Sequence, residues 1–203
     1  SRGALTALTA ECRRLHLSSE VVVDTYIPAA VGRIGARWHD DEIDILTATI
    51  AFARLQSLLR DLGRNWRADD CGSGVEASAV LLLVPETDQH TLGALVAANQ
   101  LRRRGISVTI RLTLSPQELD LALERTRFDA IFISLGNIAS LESAAKLIKI
   151  ARRPGYAAPP ILVGGSVPVG SDRMQEVTGA DLATRDVEAA LAHLGLGVPM
   201  PAT

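Results

Sequence analysis

Aromatic residues are scarce in this 203-residue chain, only 3% against 47% hydrophobic residues in all. Its core must therefore be built from Ala, Val, Ile and Leu, and the length allows one large domain or two small ones. Cysteine is equally sparse. Cys12 and Cys71 lie far apart and fit no zinc spacing, so reduced thiols in a cytoplasmic protein are expected, with a redox role as the alternative. No charge of one sign dominates. The formal net charge is -2 and the pI about 6.1, which argues against a freestanding nucleic-acid binder. Arg102-Arg103-Arg104 is a local basic cluster, explained by its place at the C-terminal end of an expected helix. There is no apolar run of bilayer-spanning length, no signal peptide, no Walker loop and no Gly-x-Gly-x-x-Gly after the first strand. The chain opens on Ser1 rather than Met, so removal of upstream residues is expected.

What is present falls into two patterns. From about residue 4 to 62 apolar positions recur at helical spacing, as in Leu46, Ile50, Ala53 and Leu58. Asp40-Asp41-Glu42 reads as a helix start, Gly63 as its stop, and Pro28 as a bend or first helical turn. A bundle of three or four helices over 1–65 is predicted, followed by a linker at 66–77 rich in Asp, Gly and Ser. From 78 to 203 the pattern becomes strand, helix, strand, helix. Strands are predicted at 78–84, 107–112, 130–135, 160–164 and 181–184, and helices at 91–104, 115–125, 139–152, 171–178 and 186–194. Short aliphatic strands alternating with helices mean a parallel sheet covered on both faces. The fold class is thus α/β: a helical bundle, then a Rossmann/flavodoxin-like sheet of five parallel strands in the order 2-1-3-4-5.

In such sheets ligands bind over the carboxyl ends of the strands. The first strand is followed by Asp88-Gln89-His90-Thr91-Leu92-Gly93, the third ends in Ser134-Leu135-Gly136, and the fourth in Gly164-Gly165-Ser166. The proposed order makes these three strands neighbours, so their loops line one crevice. His90 would present an imidazole away from the sheet, with Asp88 holding its other nitrogen. That suits a metal carried by a large cofactor better than acid–base chemistry, since no second catalytic group follows nearby. Gly93 would let the helix begin close to the ligand, Ser134 would offer a hydroxyl to a heteroaromatic nitrogen, and Gly164-Gly165 would leave a flat slot for a planar ring. His16, His39 and His193 read as surface or structural residues, His39 at a helix start.

The three loops resemble the cobalamin-binding domain, whose signature is Asp-x-His-x-x-Gly, Ser-x-Leu and Gly-Gly. The intervals are similar too, 44 residues from His90 to Ser134 and 30 from Ser134 to Gly164, with Leu135 one position early. The resemblance implies cobalamin (adenosyl-, methyl- or hydroxocobalamin) bound base-off and histidine-on. His90 would be the lower axial ligand of cobalt and Asp88 its support. Thr91, Leu92 and Gly93 would complete that loop, Ser134 and Leu135 would meet the benzimidazole, and Gly164, Gly165 and Ser166 would line the tail pocket. The helical region, through Tyr26-Ile27-Pro28 and Ile34-Gly35-Ala36-Arg37-Trp38, resembles the cap of cobalamin photoreceptors and methyl carriers. There Trp38 would cover the upper face of the corrin; otherwise it anchors helices.

Cobalamin photoreceptors that bind DNA place a Glu-His pair ten and eleven residues after this tryptophan. Here those positions are Ala48 and Thr49. The cap looks more like the AerR/PpaA group of anti-repressors. That resemblance implies a non-enzymatic, light-responsive bacterial regulator of photosynthesis genes, working through a repressor of the PpsR/CrtJ type. DNA would be reached only through that partner, and no membrane is involved. Two rivals share the architecture. Methyl carriers usually have Gly before the Asp and Lys after the final Gly, where this chain has Thr87 and Ala94. A haem sensor would use His90 but leave the tail slot without purpose.

Overall fold

The computed structural model describes residues 7, 10–12, 14–63, 78–155 and 159–196. The chain divides into two compact units, Ser1–Asn65 and Trp66–Thr203. The predicted linker at 66–77 and Cys71 lie outside the described residues.

In the first unit, α1 (Ser19–Val21) runs through a π-helical turn (Val22–Tyr26) into α2 (Ile27–His39), and α3 follows (Ile45–Leu62). Ser18 starts the run by accepting a hydrogen bond from Val21 N. The π turn has a local cause. Ile27 N–H reaches back five residues to Val22 O, and Pro28, in the first turn of α2, has no N–H for the next rung. Two expectations shift here. Asp44, not Asp40-Asp41-Glu42, caps α3, by accepting from Thr47 N at 2.6 Å. His39 ends α2 rather than opening the next helix, where a basic side chain complements the dipole. Val22, Val23, Ile27, Ala48, Leu58 and Leu59 form the buried side of the unit.

The second unit is a sheet of five parallel strands, β1 (Ala79–Pro85), β2 (Ser107–Leu114), β3 (Ala130–Leu135), β4 (Ile161–Gly165) and β5 (Leu182–Ala183). Their order is β2-β1-β3-β4-β5, as the sequence predicted. The connecting helices are α4 (Thr91–Arg103), α5 (Pro116–Arg125), α6 (Ala139–Ala151) and α7 (Ser171–Thr178), with α8 (Val187–Leu194) last. Strand alternation sends Leu81, Leu83, Ile131, Ile133, Leu135 and Val163 into one core, with residues of α5, α6 and α7. Val80, Leu82, Val84, Phe132 and Leu162 enter a second core with α4 and α8. Two aspartates tie the strand starts together: Asp129 Oδ2 accepts from Ala79 N and Asp181 Oδ2 from Ile161 N, both at 2.7 Å. Ser115 and Glu118 form a complete capping box at the start of α5. Gly105, at φ +75°, closes the turn after α4.

Candidate functional site

The three strand-end loops meet at the carboxyl edge of the sheet, and Asp88 is the hub. Its side chain is fully buried, whereas that of His90, two residues on, is 61% exposed. Asp88 Oδ1 accepts from His90 N at 2.9 Å and lies 2.7 Å from His90 Nδ1. Oδ2 accepts from Gly136 N, in the loop after β3, at 2.6 Å. Burial pushes the Asp88 carboxyl up, but its bonds to Gly136 N, His90 N, the His90 ring and the Ser140 hydroxyl outweigh this. They hold it below the ordinary carboxylate value. An ionised Asp88 can only accept, so Nδ1 carries the proton of this contact and Nε2 is the ring nitrogen left to bind a metal. The loop thus builds one oriented nitrogen donor.

Two residues outside the predicted set belong to this hub. Ser140, fully buried in the first turn of α6, bears on the Asp88 carboxylate. Gly136 gives its N–H to Asp88 and its bare Cα to the imidazole. A Cβ there would overlap His90 Cβ and Cγ and come within 2.6 Å of Nδ1. The signal for Gly136 was its place directly after β3; nothing in the sequence marked Ser140 among the other serines.

The remaining predicted residues divide by face. Ser134 and Gly164 are register partners on the α4 side of the sheet. A Cβ on Gly93 would lie 3.8 Å from Ser134 Oγ, in ordinary contact, so Gly93, Ser134 and Gly164 share one strip. Leu92 is buried beside it and Thr91 begins α4. Leu135 faces the opposite way, into the core under α6, because it follows Ser134 by one residue in a strand. Its carbonyl receives Ser166 N at 3.0 Å. The two glycines have a more immediate cause than a slot. A Cβ on Gly164 would collide with Thr184 O, and one on Gly165, at φ +127°, with Leu135 O and, at 2.8 Å, Leu135 N. Both admit neighbouring backbone. Trp38, in the other unit, is 47% exposed at the end of α2. Ala48 is buried, and Thr49 turns its hydroxyl to Ile45 O at 2.7 Å.

Sheet order and loop together define a class: doubly wound α/β domains that raise a carboxylate-held imidazole over the strand ends. Residues 78–195 match the model of the B12 binding domain, and the chain belongs to that family. Along most of its length it is also similar to an uncharacterized 20.5 kDa protein from the bchF-crtJ intergenic region of Rhodobacter capsulatus. The two are 38% identical over 186 residues, 92% of this chain and 96% of that one. Among solved structures, a cobalamin-binding protein from Desulfitobacterium hafniense DCB-2 superposes with a TM-score of 0.54 at 14% identity, covering 96% of this chain and 91% of that one. The methanol:cobalamin methyltransferase complex MtaBC of Methanosarcina barkeri gives 0.50 at 14% identity, covering 88% and 68%. At that identity the structures establish the shared fold.

The residues fit the cofactor the family takes. One imidazole is a single donor, so a metal held there would have to bring its other ligands, as a corrin-bound cobalt does. Among the described residues no helix is long and apolar enough to cross a membrane.

Proposed function

We propose that this protein is a cobalamin-dependent regulator, an anti-repressor of photosynthesis genes that acts by changing its affinity for a protein partner. The observation that carries the cobalamin part is the buried Asp88, which fixes the tautomer of an exposed His90. In this reading His90 Nε2 would hold the cobalt, and the strip from Gly93 through Ser134 to Gly164 would take the nucleotide tail. When bound, cobalamin supplies a cobalt–carbon bond that light can break, or an upper ligand that can be exchanged. Asp88 and Gly136 would keep the His90 donor fixed through either event, so the change would be read by other contacts of the cofactor, and Trp38 is the residue proposed to read it. A signal of this kind needs differential contacts in the two states.

The regulatory part is supported by the relative from the bchF-crtJ region, a photosynthesis gene neighbourhood, which matches over most of both chains. A net charge of -2 favours action through another protein over direct DNA binding. The partner assigned is a PpsR/CrtJ-type repressor, in the cytoplasm. The second reading, a methyl carrier without catalytic residues of its own, is favoured by the superposition on the methyltransferase complex.

Spectra of the protein loaded with adenosyl- and hydroxocobalamin, dark and illuminated, test the first part. A base-off, histidine-on spectrum that His90→Ala abolishes is expected; an identical spectrum from that variant refutes it. Repressor–operator binding measured with dark and lit protein tests the second. Equal repressor affinity in both states, with methyl transfer to a thiol by added methyltransferase, would establish the carrier instead.

A further inference from the structure

The His90 loop is attached to α6 at two points, and only one of them involves Asp88. Thr87, the residue before Asp88, donates from Oγ1 to Ser143 Oγ at 2.9 Å. Ser143 stands three residues after Ser140, whose hydroxyl bears on Asp88. Residues three apart share a helix face, so α6 presents two hydroxyls, one turn apart, to two consecutive loop residues. The inner one lies by the buried Asp88 carboxylate and donates to Asn137 O at 2.6 Å; the outer one pairs with Thr87 at the surface.

These attachments are not redundant. Asp88 is held through its carboxylate and through its own N–H, which donates to Pro85 O at 2.9 Å, but neither the Gly136 bond nor the Pro85 bond reaches α6. Thr87 ties the adjacent residue to the same rigid helix. Two attachments to one body allow less movement than one, and His90 lies two residues beyond Asp88 and three beyond Thr87. Resting on the cobalamin reading above, we propose that Thr87 and Ser143 form an outer latch that positions His90 Nε2 for the metal. Thr87 is in this sense a positioning residue, acting on His90 through the loop. The latch adds a second link between the His90 loop and α6, at the residue before Asp88.

The test has an arm without cofactor. Exchange of the Gly136 amide, bonded to Asp88 at 2.6 Å, reports opening of the loop. Loss of one exposed neutral hydrogen bond in Thr87→Val should speed that exchange about three- to tenfold. Thr87→Ser, which keeps the hydroxyl, should restore the native rate. Lys146→Ala, which removes the exposed Lys146–Glu142 pair of the same helix, should leave it unchanged. In the second arm the protein, labelled with nitrogen-15 in its histidines, is loaded with cobalamin and reduced to the cobalt(II) state, and the doublet splitting that a labelled imidazole gives in the electron paramagnetic resonance spectrum counts histidine-bound centres, where the cofactor's own base would give a triplet. Thr87→Val should lower that fraction and Thr87→Ser restore it. Native exchange at Gly136 in Thr87→Val overturns the latch, whatever the cofactor does. Absence of that doublet in the wild-type protein overturns the cobalamin reading itself and, with it, the assigned purpose of the latch.

Discussion

Gly136→Ala asks the most of the proposed site, because it adds one methyl group and removes no hydrogen-bonding atom. The added Cβ would overlap the first two side-chain carbons of His90 and lie 2.6 Å from Nδ1. Carbon contacts are comfortable at about 3.5–4.0 Å, so the imidazole must retreat by about 1 Å or the loop after β3 must. Either movement strains the Gly136 N–Asp88 Oδ2 bond or the Asp88–His90 bond, which are 2.6 and 2.7 Å long. A binding constellation tolerates errors of about 0.5 Å, and disturbing the support of a metal-bound histidine costs about 10–100-fold in affinity. Hydroxocobalamin titration followed by absorbance should therefore show a loss in that range, with a smaller histidine-bound fraction at saturation. The apo fold should also lose stability, since the nearest clash is with His90 Cβ, which no swing of the ring can move, so the backbone on one side must shift. Thermal melting should show a loss of about 1–3 kcal/mol, as overpacking costs. Native affinity with a native histidine-on spectrum would refute the claim that Gly136 seats the ligand. Unchanged melting would refute the claim that the two loops meet at this glycine.

Asp88→Asn should be more damaging than its size suggests. If the amide oxygen accepts from Gly136 N, its NH2 faces His90 and drives the ring proton to Nε2, the wrong tautomer for a metal; about 10–100-fold weaker binding is expected by titration. Leu81→Ala, in the fully buried centre of the sheet, should cost about 2–5 kcal/mol by denaturant melting with the histidine-on spectrum retained. Ser115→Ala removes the cap of α5 and should cost about 1 kcal/mol in the same assay. Glu118, whose carboxyl the Ser115 bonds hold below its ordinary 4.5, sets the sign of a pH effect. A depressed folded-state value means its contribution is complete above pH 4.5 and fades as pH falls through that lower value. The wild-type minus Ser115→Ala stability difference should therefore shrink below that pH; a difference that grows there contradicts the assignment.

The sheet was legible because its strands are short, aliphatic and punctuated by recognisable helix starts and stops. Ser115-Pro116 and Gly105 each mark a boundary within a residue of where the chain turns. The helical unit was less legible at its joints. Asp40-Asp41-Glu42 carries the helix-start signal, yet Asp44 has the geometry to bond Thr47 N, while Glu42 pairs with Arg37 at 2.9 Å. Acidic composition cannot rank neighbouring carboxylates; only the backbone path can. The π turn was invisible for a related reason, since the missing rung at Pro28 is compatible with a bend, a new helix or a change of register.

At the site, the visible part was whatever a residue does through its own spacing. Asp88 and His90 interact two residues apart, so their relation can be read from the chain. Gly136, Ser140 and Ser143 act across 48 to 56 residues of sequence and become legible only once β3 stands beside β1. The glycine pair shows the converse. Gly164 and Gly165 were read as a flat slot for a planar ring, and the structure adds a second reason for glycine there, since a Cβ would meet Thr184 O and the Leu135 backbone. This changes how the tail strip should be probed. A bulky residue at Gly164 would displace β5 whether or not a nucleotide binds there, so its failure to bind cobalamin would say nothing about the strip. Gly93→Ala is the discriminating change. Its Cβ would sit 3.8 Å from Ser134 Oγ, at ordinary contact distance, so the apo protein should accept it. The new methyl group would occupy only space assigned to the ligand. Weakened binding of complete cobalamin, with native binding of cobinamide, which lacks the tail, would locate the nucleotide between α4 and β3. Equal effects on both would remove it from there.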